Sequence, residues 1–265
     1  MQISSQFSGK TALVTGSTSG IGLAIAVAFA QQGANVALNS FTNGEEDRAL
    51  AAGLAEDHGV KCVYLGADMV DGDAARKLVA NCMSEFGSVD ILVNNAGVQH
   101  MAAIDNFPVD QWNRIIAINL NSAFHTIAAA IPLMKKAGAG RIINIASAHG
   151  LVASPFKSAY IAAKHGLVGM TKSVALEVAE NGITCNAVCP GFVLTPLVEA
   201  QIPDQMALNK MNRETVEREI ILARQPTRRF VTVEEIAAAC TFLASEGAAS
   251  ITGTTLSVDG GWTAM

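Results

Sequence analysis

Seven short apolar stretches alternate along this chain with longer stretches of helical character. Each is almost continuously hydrophobic, a pattern typical of strands that are buried on both faces of a parallel sheet. They cover residues 11–15, 35–39, 61–65, 90–93, 141–145, 183–188 and 255–258. The alternation predicts an α/β protein: one doubly wound domain over residues 1–265, with a seven-stranded parallel sheet and helices on both faces.

Length and composition agree with a single packed core. The chain has 265 residues, of which 50% are hydrophobic and only 15% are charged. A net charge of −5 with no run of Lys or Arg argues against nucleic acid and anionic membranes as partners, which favours a small molecule.

The location of the protein is also constrained by composition. The longest apolar stretches, such as residues 21–30, are about half the length needed to cross a bilayer. Residues 1–10 are polar and show no signal-peptide pattern, so a soluble, cytoplasmic protein is expected. Five scattered cysteines fit a reducing compartment, and their spacing gives no reason to expect a metal site.

A glycine-rich segment follows the first predicted strand and precedes a helical stretch. It reads Thr15-Gly16-Ser17-Thr18-Ser19-Gly20-Ile21-Gly22. Glycines let the backbone approach a ligand closely, and the N-terminus of a helix offers free N–H groups and a positive dipole end to a pyrophosphate. Because Asn94-Asn95-Ala96-Gly97 also follows the fourth predicted strand, a dinucleotide site is predicted at these turns.

Tyr160 and Lys164 lie four residues apart in a helical stretch, so their side chains project from the same helix face. A cation about 4 Å from the phenol, at an effective dielectric of about 20, favours phenolate by roughly 4 kcal/mol, or about 3 pKa units. Any helix can carry such a pair, but beside a dinucleotide site Tyr160 becomes a credible proton acceptor.

The complete motif set resembles that of the short-chain dehydrogenase/reductase family over essentially the whole chain. It consists of T-G-x-x-x-G-x-G, N-N-A-G, Asn119, Ser147, Y-x-x-x-K and Pro190-Gly191. The resemblance implies a Rossmann-type sheet, a nicotinamide cofactor and a catalytic tetrad of Asn119, Ser147, Tyr160 and Lys164.

The same resemblance implies a role for each member of the tetrad. Tyr160 takes the proton of the substrate hydroxyl while the nicotinamide accepts the hydride, and Ser147 holds the substrate oxygen. Lys164 lowers the pKa of the tyrosine and binds the nicotinamide ribose, and Asn119 anchors a water that leads to solvent. From the residues alone, Ser147 could be a strand-end cap and Asn119 a polar group inside a helix.

The resemblance also implies which residues contact the cofactor. They are Gly16, Ser17, Ser19, Gly20, Ile21, Gly22, Phe41, Asp68, Met69, Asn95, Ala96, Gly97, Tyr160, Lys164, Pro190, Gly191, Val193 and Thr195. Asp68 could instead cap the next helix. Where NAD-binding members place an acid, this chain reads Asn39-Ser40-Phe41; NAD is still expected over NADP, because no Arg or Lys lies there or in the glycine turn.

Four further polar residues lie near the tetrad in sequence or in the segment that follows the sixth strand. They are Gln99, His149, Lys157 and Gln201. A lysine charge with imidazole and amide donors suits a small carboxylate. Taken singly, Lys157 could be a solvated loop residue, His149 a packing residue and the two glutamines surface residues.

Segments 94–100, 145–152 and 258–262 are similar to those of family members that act on short 3-hydroxy acids. This implies reversible NAD-dependent oxidation of (R)-3-hydroxybutyrate to acetoacetate, with Ser147 and Tyr160 at the reacting oxygen. Phe192 and Trp262 would enclose the methyl end, although Trp262 could equally be a core or interface residue.

Alternatives remain open at this stage. A reductase of 3-oxoacyl thioesters, carried on coenzyme A or acyl carrier protein, would share the tetrad. A non-catalytic dinucleotide-binding sensor would keep the glycine turn, but the intact Tyr160 and Lys164 argue against it.

Two features concern the surface. Segment 192–225 contains Pro196 and Pro203, ends before Pro226, and is too long for a simple connector, so a helical substrate lid is predicted. Helical stretches 108–137 and 158–181 are apolar on more than one face. With the family resemblance, this implies a homotetramer.

Overall fold

A computed structural model describes residues 5–199 and 202–265 of the protein. It contains one sheet of seven parallel strands in the order β3-β2-β1-β4-β5-β6-β7. The strands are β1 (Thr11–Val14), β2 (Asn35–Leu38), β3 (Cys62–Tyr64), β4 (Ile91–Asn94), β5 (Gly140–Ile145), β6 (Ile183–Pro190) and β7 (Thr255–Val258). The predicted sheet is confirmed, and most strand bounds differ from the prediction by no more than two residues.

Helices connect the strands and cover both faces of the sheet. They are α1 (Gly20–Gln31), α2 (Glu45–His58), α3 (Gly72–Phe86), α4 (Val109–Ile116), α5 (Ser122–Ala137), α6 (Ser158–Val178), α7 (Pro196–Glu199), α8 (Ile202–Asn209), α9 (Arg213–Val216) and α10 (Val233–Ala244). A π-helical turn, Ala117–Asn121, joins α4 to α5, and a second one, Glu217–Ile221, follows α9.

The five inner strands bury nearly all of their residues, as their continuous hydrophobicity predicts, whereas the edge strands β3 and β7 are partly exposed. In β1, Ala12 and Val14 belong to the core cluster that includes Phe29 of α1. Leu13 points to the other face and belongs to the cluster that includes Leu78 of α3. All four residues of β1 are buried, which explains why the strand carries no polar-apolar alternation.

The order of the strands determines where a ligand can bind. β1 lies between β2 and β4, so the connections after β1 and β4 leave the sheet on opposite sides of this point. In open parallel sheets, such a reversal opens a crevice at the carboxyl ends of the strands. Most of the predicted site residues lie at the end of, or after, β1, β4, β5 and β6. The others are Phe41, Asp68, Met69 and Trp262, which follow β2, β3 and β7. In a parallel sheet these strand ends share one edge.

The segment predicted as a lid contains helices α7, α8 and α9. Arg213 of α9 joins this helix to α7, because its guanidinium contacts the Glu199 carboxylate of α7 at 2.5 and 2.8 Å. Arg213 also bonds Glu217 in the following π turn at 2.6 Å. Gln201 lies outside the described residues.

One helical run is longer than the continuous apolar stretches of the sequence. The run Val109–Ala137 is long and apolar enough, by length and composition, to cross a membrane, although polar and charged residues interrupt it. Much of this run is buried inside the protein, where Ile115, Ile127 and Met134 pack in the core. The apolar side chains on its buried face therefore serve core packing.

Candidate active site

A cavity of about 470 Å³ opens at the carboxyl ends of β1, β4, β5 and β6. This volume suits a small-molecule site. Every predicted cofactor residue lines the cavity except Ser17 and Gly20. Every predicted substrate residue that the structure describes also lines it, and of the predicted tetrad only Asn119 does not. Residues as far apart in sequence as Gly16 and Trp262 are thus brought to one crevice.

The two glycine-containing turns are bound tightly to each other. The Thr15 hydroxyl accepts the N–H groups of Asn95 and Ala96, both at 3.0 Å. The Asn95 amide donates to the carbonyls of Thr15 and Gly16, both at 2.9 Å. A Cβ on Gly22 would collide with the Gly16 carbonyl and the Asn95 amide. Only glycine fits there, and the backbone cradle at the start of α1 fits a dinucleotide pyrophosphate.

Ser17 lies behind the glycine turn. It is fully buried, its hydroxyl donates to the Val14 carbonyl at 2.8 Å, and it accepts the Asn39 N–H at 2.9 Å. The Asn39 side chain in turn accepts the Gly16 N–H at 3.2 Å. Ser17 and Asn39 therefore fasten the turn to the end of β2. Thr18, which was not predicted as a cofactor residue, lines the cavity.

Asp68 lines the cavity beside Met69 and Val70. Its carboxylate accepts the Val70 N–H at 3.0 Å. The N-terminal cap of α3 is Asp71 instead, whose carboxylate accepts two N–H groups of the first turn. The alternative interpretation of Asp68 as the helix cap is therefore wrong.

Asn119 lies in the π turn between α4 and α5 and is buried. Its carbonyl oxygen accepts the Val98 N–H at 2.8 Å, and its amide donates to the Val98 carbonyl at 2.9 Å. Both ends of the amide thus hold the segment after β4 in place. A π turn inserts one extra residue into a helix and redirects the side chains that follow, which the sequence pattern did not reveal.

Tyr160 and Lys164 occupy successive turns of α6, and Ser147 follows β5. The Lys164 ammonium donates to the Ile145 carbonyl at 2.7 Å and lies 5.6 Å from the centre of the Tyr160 ring. Burial lowers the pKa of Lys164 to about 8. The pair is therefore close, as the spacing of four residues predicts.

The pKa of the Tyr160 phenol is shifted upwards, opposite to the direction expected from a neighbouring Lys164. Burial raises the pKa of the Tyr160 phenol above its ordinary value, and the Ser147 hydroxyl offsets this only in part. The reason is geometric: the ammonium lies over the ring and donates to a carbonyl, while the low-dielectric surroundings disfavour phenolate.

The opposite wall of the cavity is aromatic. The Trp262 ring stacks on Phe192 with centroids 5.1 Å apart, and the His149 ring meets Trp262 edge-on at 4.9 Å. Trp262 is only 6% exposed, so it belongs to this wall. The Lys157 ammonium lies 5.7 Å from the centre of the Phe192 ring, and Lys157 is half-buried in the cavity rather than solvated.

His149 is 5% exposed, and its Nε2 lies 2.9 Å from the Ser154 hydroxyl. Burial lowers the pKa of His149 to about 4, and the charges of Lys157 and Arg224 add to this effect. The imidazole is consequently neutral near pH 7. Burial and the Arg224 charge also lower the pKa of Lys157.

This pKa predicts a pH dependence of stability. An imidazole ordinarily titrates at 6.5 and here at about 4, so the unfolded chain binds more protons between these values. The free energy of unfolding should therefore fall by about 3 kcal/mol from this group as the pH drops from 6.5 to 4. Urea titrations of His149→Asn should show a shallower fall, with His58→Asn, a change at the end of α2 and outside the cavity lining, as control; equal slopes would contradict the assignment.

Some cavity residues were missed by sequence reasoning. Arg114 lines the cavity, and so does Ile118 four residues later. Residues four apart share one face of a helix, so the predicted helical stretch 108–137 could have indicated Arg114. Arg224, at the end of the lid segment, is not a lining residue, but its guanidinium donates to the Ser154 hydroxyl, which is the hydrogen-bond partner of His149. No local sequence pattern indicates this contact. Gln99 lines the cavity and is half-buried, as expected for a ligand-facing amide.

Comparisons with known proteins extend over nearly the whole chain. A family profile described as enoyl-(acyl carrier protein) reductase matches residues 16–263. The chain is 57% identical over 256 residues to a D-beta-hydroxybutyrate dehydrogenase of Rhizobium meliloti, covering 97% of this chain and 99% of that protein. It is 52% identical over 257 residues to the enzyme of the same name from Cupriavidus necator, with the same coverage. A 3-oxoacyl-[acyl-carrier-protein] reductase of Staphylococcus aureus is 37% identical over 252 residues, covering 95% and 97%.

Proposed function

The chain belongs to the short-chain dehydrogenase/reductase family, and from this premise we propose that it oxidises (R)-3-hydroxybutyrate to acetoacetate, reversibly, with NAD. The observation that carries the proposal is one cavity that joins the Tyr160–Lys164 pair to a half-buried cation, Lys157, and a neutral His149. The high identity to two D-beta-hydroxybutyrate dehydrogenases supports the same substrate.

Dehydrogenases of this family use a nicotinamide dinucleotide, and we propose NAD rather than NADP. The Asn39 side chain is occupied by backbone groups: it accepts from Gly16 and donates to the carbonyls of Leu65 and Ala67. Ser40 and Phe41 are the neighbouring cavity residues, and neither they nor the glycine turn supplies a cation for a 2′-phosphate.

The chemistry follows from the positions of the side chains. When bound, the oxidised nicotinamide would supply a hydride acceptor and a positive charge that favours phenolate. Tyr160 takes the proton of the substrate hydroxyl, and Ser147 donates a hydrogen bond to the same oxygen. Lys164 lies over the tyrosine ring with its ammonium held by the Ile145 carbonyl, while Asn119 holds the segment after β4 in register.

The other end of the substrate sets specificity. Lys157 provides charge for the carboxylate, and the neutral His149 and Gln99 provide directed hydrogen bonds. Gln201 belongs to this proposed set, although it lies outside the described residues. The stacked Phe192 and Trp262 rings bound the methyl end and limit chain length.

Two rival functions fit less well. A 3-oxoacyl thioester has no free carboxylate, so binding it would leave the half-buried Lys157 without an anionic partner, which is costly. A non-catalytic sensor would have no use for a tyrosine, a serine and a lysine grouped beside the cofactor cradle.

We also propose that the protein is a cytoplasmic homotetramer. Large apolar side chains on α5 and α6 are exposed in the single chain, including Phe124 at 50% and Leu176 at 82%. Burial of such groups between subunits would explain their presence on the surface. Sedimentation equilibrium tests the assembly directly.

The reaction is tested by the initial rate of NADH formation. We expect the purified protein to reduce NAD with (R)-3-hydroxybutyrate. The rate should be lower with the (S) enantiomer, and lower with the (R) enantiomer when NADP replaces NAD. A preference for NADP would reject the cofactor assignment. Absence of NADH formation with either enantiomer would reject the proposed reaction.

The role of Lys157 gives a second test. Lys157→Ala should raise the KM for the acid about tenfold and leave kcat nearly unchanged, because the charge binds the ground state and transition state alike. The matched control is Lys172→Ala, which removes an exposed lysine from the same region of sequence. A KM equal to that of the control would remove Lys157 from the carboxylate site.

A further inference from the structure

The two ends of the lid segment are fixed side by side. The Phe192 N–H donates to the side-chain carbonyl of Gln225 at 3.0 Å, and the Val231 N–H donates to the Phe192 carbonyl at 2.9 Å. Gln225 is fully buried, so this junction is rigid. Arg224 is the residue directly before the junction, and its position is therefore set by the base of the lid.

Arg224 reaches from the lid to the loop beside His149. Its guanidinium donates to the Ala153 carbonyl and the Ser154 hydroxyl oxygen, both at 3.2 Å. Ser154 is the residue whose hydroxyl lies 2.9 Å from Nε2 of His149. A continuous path of hydrogen bonds thus joins the end of the lid to the imidazole.

The direction of these hydrogen bonds follows from their chemistry. A guanidinium has donors and no acceptor, so the Ser154 oxygen must accept from Arg224. That donation polarises the hydroxyl and favours donation of its proton to Nε2 of His149. The imidazole then carries its own proton on Nδ1, which makes Nδ1 the donor available to a carboxylate.

The charge at this end of the cavity also favours a carboxylate ligand. The seven ion pairs formed by described side chains include neither Lys157 nor Arg224. Both cations lower the pKa of His149, which is consistent with their closeness to its ring. The resulting positive field favours an anion over a neutral ligand.

We propose that Arg224 is a positioning residue of the carboxylate site, which orients His149 through Ser154 and adds positive charge behind it. The inference rests on the proposed function, because it requires an anionic substrate. It assigns to the end of the lid a part in substrate discrimination, in addition to covering the crevice.

The test compares Arg224→Gln and Arg224→Lys with Arg218→Gln. Arg218 is an exposed lid residue paired with Glu219, so its replacement removes the same charge from the same segment. For each variant, kcat and KM are measured with (R)-3-hydroxybutyrate and with its methyl ester, which lacks the negative charge.

We expect Arg224→Gln to raise the KM for the acid about tenfold with kcat within about twofold, and to leave the KM for the ester nearly unchanged. Arg224→Lys should restore part of the loss, because it keeps the charge without the fork of donors. A KM for the acid equal to that of Arg218→Gln would overturn the inference, and so would equal losses for acid and ester, which would indicate a purely structural role. Failure of the unmodified protein to oxidise the acid would instead reject the proposed function.

Discussion

Tyr160→Phe should lower kcat for (R)-3-hydroxybutyrate about 10³-fold, because positioned acid–base groups contribute roughly 10²–10⁴-fold to such reactions. The change removes one oxygen atom and keeps the ring that lies near Lys164 and His149. Affinity for NAD, measured by calorimetry, should therefore be nearly unchanged. The expected result is a protein that binds the cofactor normally and turns over about 10³-fold more slowly.

The chain provides a matched control in its other tyrosine. Tyr64 lies on β3, is 9% exposed, and its hydroxyl donates to the Ser40 carbonyl at 3.1 Å, away from the tetrad. Tyr64→Phe should keep kcat within about twofold, since this hydroxyl takes no part in proton transfer. If Tyr160→Phe keeps the kcat of this control, the phenol is not the proton acceptor.

The second large effect concerns the cofactor cradle. Gly22→Ala should abolish measurable NAD binding and lower the free energy of unfolding by about 1–3 kcal/mol, the usual cost of overpacking. The added Cβ would collide with the Gly16 carbonyl and the Asn95 amide, and would lie 2.9 Å from Cα of Ser17. Because these atoms join the turns after β1 and β4, relief of the collision must open the cradle.

The control is a glycine-to-alanine change that meets no atoms. A Cβ on Gly53 of α2 has nothing within 4 Å, so Gly53→Ala should bind NAD normally and gain up to about 1 kcal/mol from helix propensity. Calorimetry and urea unfolding of both variants measure the difference. Normal NAD binding by Gly22→Ala would show that the close packing of the two turns is not required.

Much of this arrangement could be predicted from the sequence because its signals are local. Continuous apolar stretches identified all seven strands, since residues such as Ala12 and Leu13 are buried on opposite faces. The spacing of Tyr160 and Lys164 placed them on successive turns of α6, and the glycine turn was located before a helix. These features depend on periodicities of a few residues.

What could not be predicted depends on tertiary packing. Ser17 looked like a cofactor contact, but the path of β2 brings Asn39 against it and buries it. The raised pKa of Tyr160 depends on burial and on the Ile145 carbonyl that engages Lys164. Arg224 reaches His149 only because the lid ends are joined at Gln225.

We propose that this cavity recognises the free carboxylate of the substrate and presents its 3-oxygen to Tyr160. The most direct measurement is the ratio of kcat/KM for acetoacetate to that for acetoacetyl coenzyme A, each reduced with NADH by the same preparation. We predict a ratio well above one, and a fall in this ratio in Lys157→Ala. Rapid reduction of the thioester with no reduction of the free acid would contradict the account.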